Sequence, residues 1–130
     1  LRFCNAGHPY PLLIAPDGTV SFFKTADNLP LGVTSDYEYE EQECYFAPGS
    51  QLLFYTDGVS EAQNEQSKFY KIDRLFNLVV SHSQLAPRQM VDKVVGDVKR
   101  FVGKAEQSDD LTVMSFRLNP RGKKKIEGLL

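Results

Sequence analysis

Gln51-Leu52-Leu53-Phe54-Tyr55-Thr56 is a near-continuous apolar run that stops at Asp57-Gly58. Apolar side chains on both parities suit a strand buried on both faces, so this run is the expected centre of a sheet. Pro48-Gly49-Ser50 turns the chain into it. On its N-terminal side, Tyr37 to Phe46 is rich in aromatics and acids, with Tyr37, Tyr39 and Glu41 on one parity and Glu38, Glu40 and Gln42 on the other. That alternation predicts a partly exposed strand. Leu12-Leu13-Ile14-Ala15 and Val20-Ser21-Phe22-Phe23 flank Pro16-Asp17-Gly18-Thr19, whose Pro and Asp-Gly supply turn geometry, so a β-hairpin is expected. Leu1 to Asn5 reads as the strand before it. It looks like the middle of a strand from its first residue, the sign of a piece of a longer protein.

Beyond Gly58 the period changes. Ile72, Leu75, Phe76, Val79 and Val80 recur at three- and four-residue intervals, the stripe of an amphipathic helix. A second helix should start near Ala86-Pro87, turn Met90, Val91, Val94, Val95, Val98 and Phe101 inward, and stop at Gly103. Leu111 to Leu118 is expected as a last strand. The expected order is ββββ-αα-β, an α+β fold with a mostly antiparallel sheet. Residues 119–130 are polar and basic, and are expected to form a disordered tail.

Composition excludes several classes. The 130 residues are 42% hydrophobic and 25% charged, ordinary for one globular domain. The apolar runs are short and no basic-then-apolar leader is present, so no membrane span is expected and the chain reads as cytoplasmic. Fifteen basic against seventeen acidic side chains leave a formal charge of -2, and the basic cluster is confined to Arg121, Lys123, Lys124 and Lys125; nucleic acid is not the expected partner. Cys4 and Cys44 lack Cys-x-x-Cys spacing, so both are expected to be buried thiols. Neither has an Arg six positions later, which excludes the cysteine-dependent phosphatase motif.

The residues that could carry chemistry stand at strand ends. Asp57 closes the most buried run, where a carboxylate asks for a partner, most simply a cation. Asp109-Asp110 stands immediately before the last strand, and two adjacent acids repel unless a hard divalent ion relieves them. Taken alone, each pair is an ordinary polar turn; their conjunction is what points to a site. His8, in Asn5-Ala6-Gly7-His8-Pro9, also follows a strand, and Gly7 suggests special dihedral angles or close backbone approach. His8 is expected near the site but not on the metal.

Together, Asn5-Ala6-Gly7-His8-Pro9, Leu29-Pro30-Leu31-Gly32, Pro48-Gly49 leading to Thr56-Asp57-Gly58-Val59-Ser60-Glu61-Ala62, and Asp109-Asp110-Leu111-Thr112 resemble the ordered motifs of bacterial PPM-type (protein phosphatase 2C-like) phosphatases. The similarity is to the SpoIIE-type branch, which includes stress phosphatases that regulate sigma factors. The resemblance implies that residues 1–118 are the C-terminal portion of such a domain, part of a β-sandwich with flanking helices. It further implies a protein phosphatase acting on phosphoserine or phosphothreonine through two divalent cations, Mn2+ or Mg2+. Asp57 and Asp109 would be metal ligands acting through metal-activated water, with the part of Asp110 left open. His8 and Gly7 would lie near the site, and Gly58 would allow the turn that brings Asp57 to the ions. The implied partners are a phosphorylated regulator of the anti-sigma-factor antagonist type and an upstream sensor or receiver domain, in sigma-factor regulation or two-component signalling. A further metal-binding segment, Asp-containing with Gly-His-Gly nearby, is expected upstream of Leu1. The chain alone is therefore expected to be inactive and to expose apolar surface for self-association or a partner. The competing expectation is a non-catalytic regulatory or binding module on the same scaffold.

Overall fold

The computed structural model describes residues 1–106 and 109–119. The chain runs β1 (Arg2–Phe3), β2 (Leu12–Ile14), β3 (Val20–Phe22), β4 (Gln42–Glu43), β5 (Gln51–Tyr55), α1 (Asp57–Ser60), α2 (Ile72–Ser81), α3 (Pro87–Val102) and β6 (Val113–Arg117). Every strand pairing is antiparallel, in a four-stranded sheet of order β3-β2-β5-β6 and a two-stranded one of β1 and β4. The α+β class and the antiparallel sheet are as expected. The order ββββ-αα-β is corrected: five strands precede the helices, as the individual runs already number, and a one-turn helix comes after β5.

β5 is central because it is apolar on both parities. It pairs with β2 through Leu12↔Leu53 and with β6 through Leu53↔Ser115. Leu53 and Tyr55 share one face with Leu12 and Ile14. There they meet Leu75 and Val79 of α2, and Met90, Val94 and Val98 of α3, in a single buried cluster. Burying a side chain of this kind is worth roughly 1.5–3 kcal/mol, so this layer anchors the helices to the sheet. Ile72 and Phe76 also pack against this cluster, as the stripe predicts, whereas Val80 is exposed. Leu52 and Phe54 point to the opposite face. They border a cavity of about 200 Å³ together with Leu1, Phe3 and Phe23. A cluster of Phe3, Phe23 and Phe46, with ring centroids 5.3 and 5.0 Å apart, packs beside it.

The strand expected over Tyr37 to Phe46 shrinks to Gln42–Glu43. In its earlier part the Glu40 backbone pairs with a side chain where a strand would pair with a neighbouring strand. Asn28 Oδ1 accepts the Glu40 N–H at 3.0 Å and Asn28 Nδ2 donates to the Glu40 carbonyl at 3.4 Å. Cys44 is partly buried, but Cys4 is exposed, contrary to the expected pair of buried thiols. The tail expected over 119–130 lies outside the described residues from 120 onward. No described helix is long and apolar enough to cross a membrane.

Candidate active site

The C-terminal end of β5 gathers the chemistry-bearing residues. The β5–β6 ladder continues past Tyr55↔Val113, since the Thr56 N–H donates to the Thr112 carbonyl at 3.1 Å. Thr56 then ties the two segments a second time. Its hydroxyl donates to the Asp110 carbonyl at 3.1 Å and accepts the Thr112 N–H at 3.1 Å. Sequence reasoning missed Thr56, although it directly precedes Asp57. Its role depends on contacts more than fifty residues away.

Asp57 is the first residue of α1 rather than part of a tight turn. Its Oδ1 accepts the Gly58 N–H at 3.0 Å, and its carbonyl accepts the Glu61 N–H at 2.8 Å and the Ser60 hydroxyl at 3.2 Å. The carboxylate is exposed while Gly58 behind it is buried. The reason for Gly58 differs from the expected one. Its φ is not in the left-handed region; instead a Cβ there would stand 2.4 Å from the Asp110 carbonyl oxygen and 3.0 Å from its carbon. Glycine lets the α1 backbone lie directly against the Asp110-Leu111 peptide. Asp109 and Asp110 are both exposed at this junction, and Asp109 Oδ1 accepts the Asp110 N–H at 2.7 Å. The structure thus brings the Asp57 and Asp109-Asp110 segments to one sheet end.

His8 lies on the other flank of β5. The Tyr55 hydroxyl donates to the Tyr10 carbonyl at 2.9 Å, and the His8 ring packs edge-on against Phe54 at 5.8 Å. Asn5 locks the His8 backbone, accepting its N–H at 2.7 Å and donating to its carbonyl at 2.8 Å. His8 Nδ1 faces the Pro9 carbonyl at 2.7 Å, so that nitrogen carries the proton. Gly7 has φ +86° and sits where a Cβ would meet Pro30 Cγ at 2.7 Å. This contact joins the first two sequence motifs.

A cation would find hard oxygen donors here, the right chemistry for Mg2+ or Mn2+. Among the described residues, however, no group of three or more His, Cys, Asp and Glu side chains is arranged to hold a metal ion. The donor type fits a hard cation, while the described residues alone do not assemble a full set of ligands.

Beyond α1 the chain closes into a short hairpin. Lys71 N–H bonds to the Ser60 carbonyl at 2.8 Å, Tyr70 N–H to the Ala62 carbonyl at 2.8 Å, and Gln63 bridges Phe69. Tyr70 is buried and its hydroxyl donates to Asp97 of α3 at 2.7 Å. Arg74 also reaches Asp97, at 3.0 Å, and Arg100 does so at 3.2 Å. Burial alone would raise the Asp97 pKa, but hydrogen bonds from Arg74, Tyr70 and Arg100 outweigh it and hold the carboxyl at about 2. Desolvation, then the Asp97 hydrogen bond, pushes the Tyr70 hydroxyl well above its usual range.

The family model described as "Stage II sporulation protein E (SpoIIE)" matches residues 1–119. The chain is 23% identical over 115 residues to the phosphoserine phosphatase RsbU of Bacillus subtilis, covering 88% of this chain and 34% of RsbU. It therefore spans about a third of that relative. Among solved structures it resembles the SiaA-PP2C domain of Pseudomonas aeruginosa, with a TM-score of 0.72 at 23% identity over 91% of this chain and 46% of that one. It also resembles the phosphatase domain of SpoIIE from Bacillus subtilis, presoaked with Mn, with a TM-score of 0.58 at 17% identity over 91% of this chain and 50% of that one. At these identities the structural likeness is one of fold.

Proposed function

The chain belongs to the SpoIIE family, and from that premise we propose that it is the C-terminal portion of a metal-dependent protein phosphatase domain acting on phosphoserine or phosphothreonine. One observation carries the reading: Gly58 and Thr56 hold the Asp57 turn directly against the Asp110 backbone. Unrelated polar turns need no such contact. It sets the carboxylate-bearing segments side by side at a solvent-facing strand end.

Asp57 and Asp109 are the proposed metal ligands, with Asp110 beside them. Divalent cations bound there would ease deprotonation of water and neutralise phosphoryl charge. The chain's own part is to present carboxylates in a fixed relation. α1 sets the Asp57 backbone, the Gly58 N–H orients one of its carboxyl oxygens, and Asp109 is orientated by the Asp110 N–H. His8, with its proton on Nδ1, is an outer neighbour of the site on the β2 side. The remaining ligands, the substrate and the control belong to the whole protein. By the family resemblance these are a Gly-His-Gly-bearing segment, a phosphorylated regulator of the anti-sigma-factor antagonist type and an upstream sensor or receiver domain.

The test is Mn2+-dependent hydrolysis of an aryl phosphate by this chain and by the longer protein that contains it, each with its Asp57→Asn counterpart. Activity only in the longer protein, reduced at least ~100-fold by the substitution, is the expected outcome. A longer protein inactive with and without added Mn2+ would favour the non-catalytic module.

A further inference from the structure

Resting on this metal-site reading, we propose that Glu65 is a positioning residue for the metal site, a clamp that holds the hairpin after α1 against the end of α3. The connection runs through described contacts. The Ser60 hydroxyl is bonded to the Asp57 carbonyl, and Ser60 begins the hairpin that closes at Lys71. Within that hairpin Glu65 reaches out and its Oε1 accepts the Lys104 N–H at 2.8 Å. Gly103 turns with φ +65° beside it, where a Cβ would stand 3.1 Å from the same Oε1. Gly58, Gln63, Lys99, Gly103 and Asp109 border one cavity of about 530 Å³, so the helix end that Glu65 holds shares a cavity with one proposed ligand, Asp109, and with Gly58, the neighbour of the other.

Helix stability does not account for a carboxylate here. The C-terminus of a helix carries partial negative charge and favours cations, a preference that Lys99 and Arg100 meet in the last turn of α3. Glu65 runs against it. What the contact does achieve is to join the loop after one proposed ligand to the helix end from which the chain leads towards the other.

The experiment measures Mn2+ affinity by calorimetry and melting temperature in the longer protein for wild type, Glu65→Ala and Glu65→Gln. Gln keeps the acceptor oxygen and drops the charge, so it should bind Mn2+ like wild type and melt no lower. Ala should lose about 3- to 30-fold in affinity with little change in melting temperature. If Ala binds Mn2+ as tightly as wild type, or if Gln loses as much as Ala, the clamp has no role in the site. Should Ala unfold the protein, Glu65→Ser, whose hydroxyl is too short to reach the Lys104 N–H, takes its place: lost affinity supports the acceptor role and wild-type affinity overturns it. A wild type that binds no Mn2+ defeats the metal reading and the clamp with it, an outcome distinct from the others.

Discussion

A methyl group at position 58 would stand 2.4 Å from the Asp110 carbonyl oxygen, and the obstacle is backbone rather than a flexible side chain. Gly58→Ala must therefore push the two segments apart, at an expected cost of about 1–3 kcal/mol, read from urea unfolding. The acids stood out as candidates in the sequence because Asp57 closes one apolar run and Asp109-Asp110 immediately precedes another. The reason for Gly58 was not, because the atom it avoids belongs to a residue remote in the chain. Thr56 was illegible on the same ground. Asp97 offers a second test at this scale. Its carboxyl ionises more readily folded than unfolded, so its contribution to stability is complete above the ordinary value of 3.8 and is lost as pH falls through about 2. Asp97→Asn should lower stability at neutral pH by about 1–3 kcal/mol and flatten the decline between those two pH values in acid unfolding curves.

At the scale of elements, α2 and α3 were readable because their apolar residues recur at helical spacing in successive turns, whereas β4 was not, because alternation in Tyr37 to Phe46 says nothing about what lies alongside. A strand needs a neighbour, and ahead of Gln42 the Glu40 backbone pairs with the Asn28 side chain instead. The entry to α2 shows a feature that periodicity cannot reveal. Lys71 has φ +66° and ψ 152°, a region adopted almost only by glycine and costing on the order of 1–3 kcal/mol elsewhere. Its side chain is exposed, so little packing would be lost on replacement. Lys71→Gly is expected to raise stability by about 1 kcal/mol after the entropy penalty of glycine, and an unchanged or lower urea midpoint would contradict this.

For the molecule as a whole, the α+β class and the centrality of β5 were evident from composition and pattern, while the division of the sheet into two unlike faces was not. One face is filled by helices; the other carries buried Leu52, half-buried Phe54 and Met114, which is 51% exposed. Elsewhere Leu31 and Val33 stand in solvent. The chain on its own is expected to self-associate in size-exclusion chromatography and to bind a hydrophobic dye; a clean monomer with weak dye fluorescence would count against that. The placement of β6 has a consequence in time. It is the last described strand in the sequence, yet it pairs with β5 along its full length. During synthesis the ribosome releases Asp57 long before Thr112, and helices with local contacts can form in the interval while the sheet waits for its final member. A nascent chain thus has no assembled carboxylate pair with which to capture a cation, and the proposed centre comes into being only as translation of this segment ends.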